Sequence, residues 1–308
     1  MSKIKKNYPL ADETTFKVGG PAEFFISVDC RHELTDAIIQ AEKMEVPVTI
    51  IGGGSNVIIP SEGINGLVVK LRGGNINFLG KNLLRVGAGV SLPRLSRFAF
   101  EESFRGLEWA MGVPGTLGGA IYGNAGAFGD SISDVVEEVE VLKSRKREVI
   151  SADEIDFSYR SSTFKKEGLT ILSASLRLKN GDKKEIKRKT DQYLSYRNEN
   201  HPMEASCAGS VFKNPETTVT DDKILEEYPQ LEHFNEKGVL SAGFLIEKAE
   251  MKGFSVGAAK VSEKHANFII NKDNEARSED VKSLISKIQK RVEEKFGVIL
   301  KREVRFLE

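Results

Sequence analysis

The sequence predicts an α+β protein made of more than one compact unit. Strand and helix signals alternate through the first hundred residues. Short alternating β-type runs follow beyond Gly129, and the chain closes on one strongly amphipathic helix and a strand. At 308 residues the chain exceeds a typical domain, so two or three units, each with its own apolar core, are expected.

The elements follow in order. "AEFFISV" reads as a strand, the next segment sets Leu34, Ala37, Ile38 and Ala41 on one helical face, and "VPVTII" supplies another strand, giving one βαβ unit. A second helix is expected from about Leu92 to Ser103, capped by Ser91. The runs "VVEEVEVL", "REVISA" and "LTILSASLRL" suggest an antiparallel sheet. The tract "KNGDKKEIKRKTDQYLSYRNENHP" reads as a turn, a charged helix and a proline stop, where a domain boundary is expected. From about Met203 to Glu275 loops surround a short helix beginning near Ser241. The last helix has Ser278 as cap, Glu279 and Asp280 in its first turn, and Val281, Leu284, Ile285, Ile288 and Val292 on one stripe. Gly297 stops it, and "VILKREVRFLE" closes the chain as a strand with Leu300, Val304 and Phe306 on one face and Lys301, Glu303 and Arg305 on the other.

Composition narrows the function classes. Forty-five basic residues balance forty-five acidic ones, so no global positive field favours nucleic acid. Cys30 and Cys207 form no metal-ligand spacing, which argues against a metal site and fits a reducing compartment. The basic start lacks an apolar core behind it and no run reaches membrane-spanning length, so the expectation is a cytoplasmic protein with no membrane partner.

Glycine is concentrated in three places: "KVGGPA" (17–22), "IIGGGSNVIIP" (50–60) and "GVPGTLGGAIYGNAGAFG" (112–129). Bare backbone permits positive φ and lets amides converge on an anion, so a pyrophosphate suits such loops. No Gly-Lys-Ser or Gly-Lys-Thr marks a P-loop, and "GAGVSL" lacks the third glycine of the dinucleotide fingerprint. "GGGSN" runs into β-branched "VIIP", so the phosphate would be held by a strand-turn-strand loop. For any one cluster a plain tight turn is the commoner explanation. Three clusters together point to a phosphate-rich cofactor and go no further.

Seven segments in register go further: "TTFKVGGPAEFF", "IGGGSNVIIP", "GVPGTLGGAIYGNAGAFG", "FSYRSSTFK", "AGSVFKNP", "SAGFLIEKAEMKGF" and "VSEKHANFIIN", with a closing "REVRFL". From Thr14 to Leu307 they resemble the UDP-N-acetylenolpyruvoylglucosamine reductase family, in its shorter, type II form. The resemblance implies a two-subdomain FAD-binding fold of the vanillyl-alcohol-oxidase (PCMH) type plus a C-terminal α+β substrate-binding domain. The spans expected are 1–72 with the closing strand 298–308, then 73–190, then 191–297. It implies non-covalent FAD, NADPH as co-substrate, a UDP-sugar substrate, and a monomer or weak dimer. Gly52, Gly53, Gly54, Ser55 and Asn56 would face the pyrophosphate. Pro114, Gly115, Thr116, Gly119, Asn124 and Gly126 would line the other side of the cofactor.

The implied reaction reduces an enolpyruvyl ether and protonates the resulting enolate, so it needs a fixed cation and an acid. Arg160 suits the cation, because a guanidinium grips a carboxylate bidentately and stays charged. Ser210 suits the proton donor and Glu303 an acid or electrostatic partner. Without the resemblance each has a plainer reading: a sheet-surface ion pair, a loop serine in an ST-turn, and the solvated face of a strand. Tyr159, Lys213, Asn214, Lys248 and Lys264 are implied substrate contacts, with Lys252 and Lys260 as further lysines in the same stretch. His265 is expected to be structural. Two positions depart from the family pattern: Phe244, usually Trp, and Glu250, usually Gly, the latter putting a turn conformation in question. An oxidase of the same fold is disfavoured because none of the four histidines lies near a glycine loop to tether a flavin. A scaffold without chemistry has no need of Arg160, Ser210 and Glu303 together.

Overall fold

The structure, a computed structural model, describes residues 4–307. Met1–Lys3 and Glu308, the outer ends of the first expected span and of the closing strand, lie outside the described residues. The chain divides into two compact units, each assembled from three stretches: 1–8, 22–54 and 65–199 in the first, and 9–21, 55–64 and 200–308 in the second.

The first unit carries the α+β pattern expected of it. A four-stranded sheet runs in the order Lys5–Pro9, Pro21–Val28, Ile64–Leu71, Val48–Ile51, its last pair parallel. The helix Arg31–Lys43 joins Pro21–Val28 to Val48–Ile51 and buries Leu34, Ala37 and Ala41. The βαβ unit therefore exists with a third strand inserted between its two. The five-stranded sheet is antiparallel throughout, in the order Lys146–Ser151, Val136–Lys143, Thr170–Arg177, Leu83–Gly87, Ile76–Gly80. The helix Leu92–Glu101 starts after Ser91, yet the Ser91 side chain makes no capping bond. Proline inside the first turn leaves one orphan amide fewer to cap.

The second unit has its own core, in which Phe16, Val18 and Ile58 join residues from 208 to 304. Its four-stranded antiparallel sheet, ordered Ser206–Ser210, Phe268–Asn271, Ala259–Val261, Ser255–Val256, has strands of two to five residues, too short to show a period in sequence. Two helices, Asp222–Glu227 and Gln230–Glu236, were also hidden, the first capped by Asp221. The helix Ala242–Lys248 begins after Ser241, whose hydroxyl accepts from Phe244 N. The long helix Ser278–Phe296 buries the expected stripe of Val281, Leu284, Ile285, Ile288 and Val292 and ends at Gly297 in the left-handed region. Each stripe residue contributes about 1.5–3 kcal/mol of burial as an upper estimate.

Two details differ from expectation. Ser278 is the first helical residue, with Arg277 at the cap position. Its buried hydroxyl instead bonds the Ser61 amide (2.9 Å) and Glu279 (2.8 Å), latching the 59–64 loop to the helix start. The closing strand is confined to Arg305–Phe306, parallel to Val57–Ile58, with one isolated bridge from Arg302 to Phe212. Among the described residues no helix is long and apolar enough to cross a membrane.

Candidate active site

In the first unit two glycine loops close on each other. A Cβ on Gly52 would sit 2.3 Å from Thr116 Oγ1, and one on Gly53 would sit 2.7 Å from Gly115 Cα. Gly54 (φ +67°) and Gly115 (φ +132°) take backbone conformations that side chains resist. Thr116 caps the helix Leu117–Gly123, accepting from the Gly119 amide, and Asn124 ends that helix in the left-handed region. Glycine here thus serves to bring two backbones together. Gly126 has a similar cause: its Cβ would meet Asp130 O at 2.4 Å across the short 126–131 hairpin. Pro114 stands exposed at the loop tip.

Asn124 connects these loops to the turn that carries Arg160. Its buried Nδ2 donates to Ser158 O (3.1 Å), while its buried Oδ1 has no protein partner. Ser158 and Ser161 exchange backbone hydrogen bonds of 3.1 Å each, closing a tight turn with Tyr159 and Arg160 at its tip. Arg160 holds φ +57°, a conformation that costs a non-glycine residue on the order of 1–3 kcal/mol. Its guanidinium donates to Gly126 O (3.0 Å) and lies 5.1 Å from the Tyr159 ring.

The second unit gathers a different set. Ser210 ends the strand Ser206–Ser210, whose register against Phe268–Asn271 slips: Cys207 faces Ile270, but Ser210 faces Phe268. The extra residue is a β-bulge at Gly209 (φ +74°), which moves Ser210 to the ladder position that the regular register would give Gly209. Beyond it Glu303 N donates to Val211 O (2.8 Å) and Lys213 N to Lys301 O (2.9 Å). The Asn56 side chain donates to Glu303 O (3.4 Å), and Arg305 N donates to Asn56 O. A Cβ on Gly209 would lie 3.8 Å from Ser55 O. Ser55, Asn56, Ser210, Lys213 and Glu303 thus share one neighbourhood.

Other expected residues have plainer surroundings. Asn214 Oδ1 accepts from Ala242 N (3.0 Å), at the start of the Ala242–Lys248 helix. Lys248 lies over the Phe244 ring, and Lys264 is exposed. Lys252 and Lys260 are paired with Glu247 (2.6 Å) and Glu263 (3.0 Å). Burial pushes the His265 imidazole below its ordinary pKa, and its Nδ1 accepts from Asn267 N (3.1 Å). Glu250 adopts φ +61°, so the glycine-type turn survives with a strained glutamate in it. In "KVGGPA" the glycines answer to packing: Cβ atoms on Gly19 and Gly20 would strike Ile59 and Ser61 O at 2.4 and 2.2 Å. Asn267 escaped the sequence reading, since nothing local marks a buried asparagine that pairs with a distant backbone.

The residues present fit FAD. The 52–53 and 115–116 loops meet so closely that a Cβ on Gly52 or Gly53 would clash, which leaves their backbones bare for a diphosphate, and Asn124 Oδ1 is a buried acceptor with no protein partner. Residues 22–151 match the FAD binding domain family, and residues 201–307 match the C-terminal domain of UDP-N-acetylenolpyruvoylglucosamine reductase. Fold and site together define an FAD-dependent oxidoreductase. The chain is 39% identical over 307 residues to the UDP-N-acetylenolpyruvoylglucosamine reductase of Caldanaerobacter subterraneus, covering 99% of this chain and 94% of that one. It is 37% identical over 310 residues to that of Prochlorococcus marinus, covering 98% and 97%. The crystal structure of the same enzyme from Thermus caldophilus superposes with a TM-score of 0.79 at 32% identity, covering 100% of both chains. The chain belongs to the UDP-N-acetylenolpyruvoylglucosamine reductase family.

Proposed function

We propose that the protein reduces UDP-N-acetylglucosamine enolpyruvate to UDP-N-acetylmuramate with NADPH as co-substrate, a step of peptidoglycan precursor synthesis in the cytoplasm. When bound and reduced by NADPH, the flavin would supply the hydride for the enolpyruvyl methylene carbon. Gly52, Gly53, Gly54, Gly115, Thr116, Gly119, Asn124 and Gly126 would hold it, with Pro114 at the loop tip and Ser55 and Asn56 continuing the first loop. The spans 1–72, joined by the closing strand 298–308, and 73–190 act as the two FAD subdomains, and 191–297 receives the UDP-sugar.

Arg160 holds the substrate carboxylate and remains cationic as negative charge develops there. The Ser210 hydroxyl delivers its proton to the carbon beside that carboxylate, which leaves a stereocentre on the product. Glu303 supports Ser210 as an electrostatic or acid partner, and Lys213, three residues beyond Ser210, offers a cation. Tyr159, Asn214, Lys248 and Lys264 contact the substrate in this reading.

The observation that carries the reading is the bulge at Gly209: a serine at a strand end is turned to a new position in the ladder, beside the backbone of a glutamate from the far end of the chain. Bulges of this kind are enriched next to active sites. Anaerobic stopped-flow at about 450 nm tests it, because the cofactor reports its own redox state. NADPH should bleach the band and the enolpyruvyl sugar should restore it without oxygen. In Ser210→Ala the first phase should persist and the second should collapse; normal turnover in that variant defeats the proton-donor assignment. A band that only oxygen restores would mean a different substrate, and no band at all would sink the flavin reading.

A further inference from the structure

We infer that Asn267 is a positioning residue which, together with Gly209, fixes the aim of Ser210; the inference rests on Ser210 being the proton donor. Asn267 is 5% exposed and lies just before the strand Phe268–Asn271. Its side-chain amide makes both hydrogen bonds that a neighbouring strand would make to Phe212: Oδ1 accepts from Phe212 N (3.0 Å) and Nδ2 donates to Phe212 O (2.9 Å). Its main-chain carbonyl accepts from Val211 N (2.8 Å). The ladder that ends at Ser210 is thus prolonged by one side chain.

The consequence follows from what lies on the other flank. Val211 O accepts from Glu303 N, and Lys213 N donates to Lys301 O, so residues 211–213 are clamped between Asn267 and the 301–303 segment. Ser210 sits between this clamp and the Gly209 bulge, with no freedom to drift along its strand. Loss of the amide leaves Phe212 N or O buried and unpaired, and the segment has to move to recover a partner. A displacement of about 1 Å at a reacting group costs on the order of 10²-fold in rate.

Asn267→Asp keeps the shape and one acceptor, but it removes the donor to Phe212 O. Gly209→Ala leaves the clamp and strains the bulge, because φ +74° disfavours a Cβ although its one neighbour, Ser55 O, would lie at an ordinary contact distance of 3.8 Å. Reduction of bound flavin by NADPH, counted per flavin, should proceed at the wild-type rate in both. Reoxidation by the enolpyruvyl sugar should slow by about 10²-fold in Asn267→Asp and about tenfold in Gly209→Ala, with an enlarged solvent isotope effect and little change in KM. Asn267→Gln, which retains the amide, should recover part of the loss. If Asn267→Asp gives no soluble protein, Gly209→Ala and Asn267→Gln decide the matter.

Wild-type reoxidation per flavin in the variants, with only a lowered melting temperature, overturns the inference and leaves Asn267 a fold element. Ser210→Ala is run alongside as the control. If it reoxidises normally, the proton-donor reading fails; if it is dead while the Asn267 and Gly209 variants are normal, only the positioning inference fails.

Discussion

Among the turns that hold a non-glycine residue in the left-handed backbone region, those at Arg160 and Glu250 put their side chains to different ends. At the Tyr159–Arg160 turn, Arg160 (φ +57°) is bonded to Gly126 O, beside the Asn124 side chain that fixes the turn through Ser158 O. At the end of the Ala242–Lys248 helix, Glu250 (φ +61°) stands exposed at the surface. Glycine would satisfy either backbone. In the proposed reaction only the first turn needs a side chain that glycine lacks, so strain there would be the cost of a function, while no proposed role offsets it at Glu250.

The comparison can be broken by substituting glycine at both. Arg160→Gly should keep or raise the melting temperature while kcat/KM falls by about 10²–10³-fold, the usual loss when one electrostatic contact to a developing charge is removed. Activity within tenfold of wild type would mean that the strained arginine has no catalytic reason. Glu250→Gly should do the reverse, raising stability by about 0.5–1 kcal/mol in a denaturant titration with turnover unchanged.

Between these two in size stands Gly53→Ala. Its Cβ would meet Gly115 Cα at 2.7 Å, so the loops must part, at about 1–3 kcal/mol. Flavin content of the purified protein should fall with stability, and a fully loaded, equally stable variant would show that the close approach is dispensable.

The smallest effect concerns a polar cluster that only holds the fold. Hydrogen bonding from Ser278, then from its own amide and Ser61, lowers the Glu279 pKa to about 2, from an ordinary 4.5. A depressed carboxylate stabilises the fold above its unfolded value, and that contribution is lost as pH falls from about 4.5 to 2. The gap between wild type and Glu279→Gln should therefore be present at pH 7 and vanish near pH 2, modestly, because the group is exposed and screened. A gap that is constant with pH would refute the assignment.

Some of this was written in local sequence. The stripe from Val281 to Val292, the stop at Gly297 and the helix start near Ser241 need only neighbours three or four residues away, and they appear as read. Motif order also carried the family, because seven segments in register are a property of the string itself. Other features had no local signal. Ser91 and Ser278 occupy or adjoin cap positions, yet a proline turn and a distant loop decide what their hydroxyls do. The strands of the second unit are too short to show a period.

The sequence by itself determined which residues have the right chemistry and which segments are helical, since those depend on side-chain type and short-range spacing. Tertiary structure decided why Gly52 and Gly53 must be glycine, where the register slips at Gly209, and that Asn267 stands in for a strand beside Phe212. Each of these depends on atoms far apart in the chain meeting within a few ångströms, and a one-residue slip of a strand, which turns every later side chain to the opposite face, is set by its pairing partner and not by its own composition.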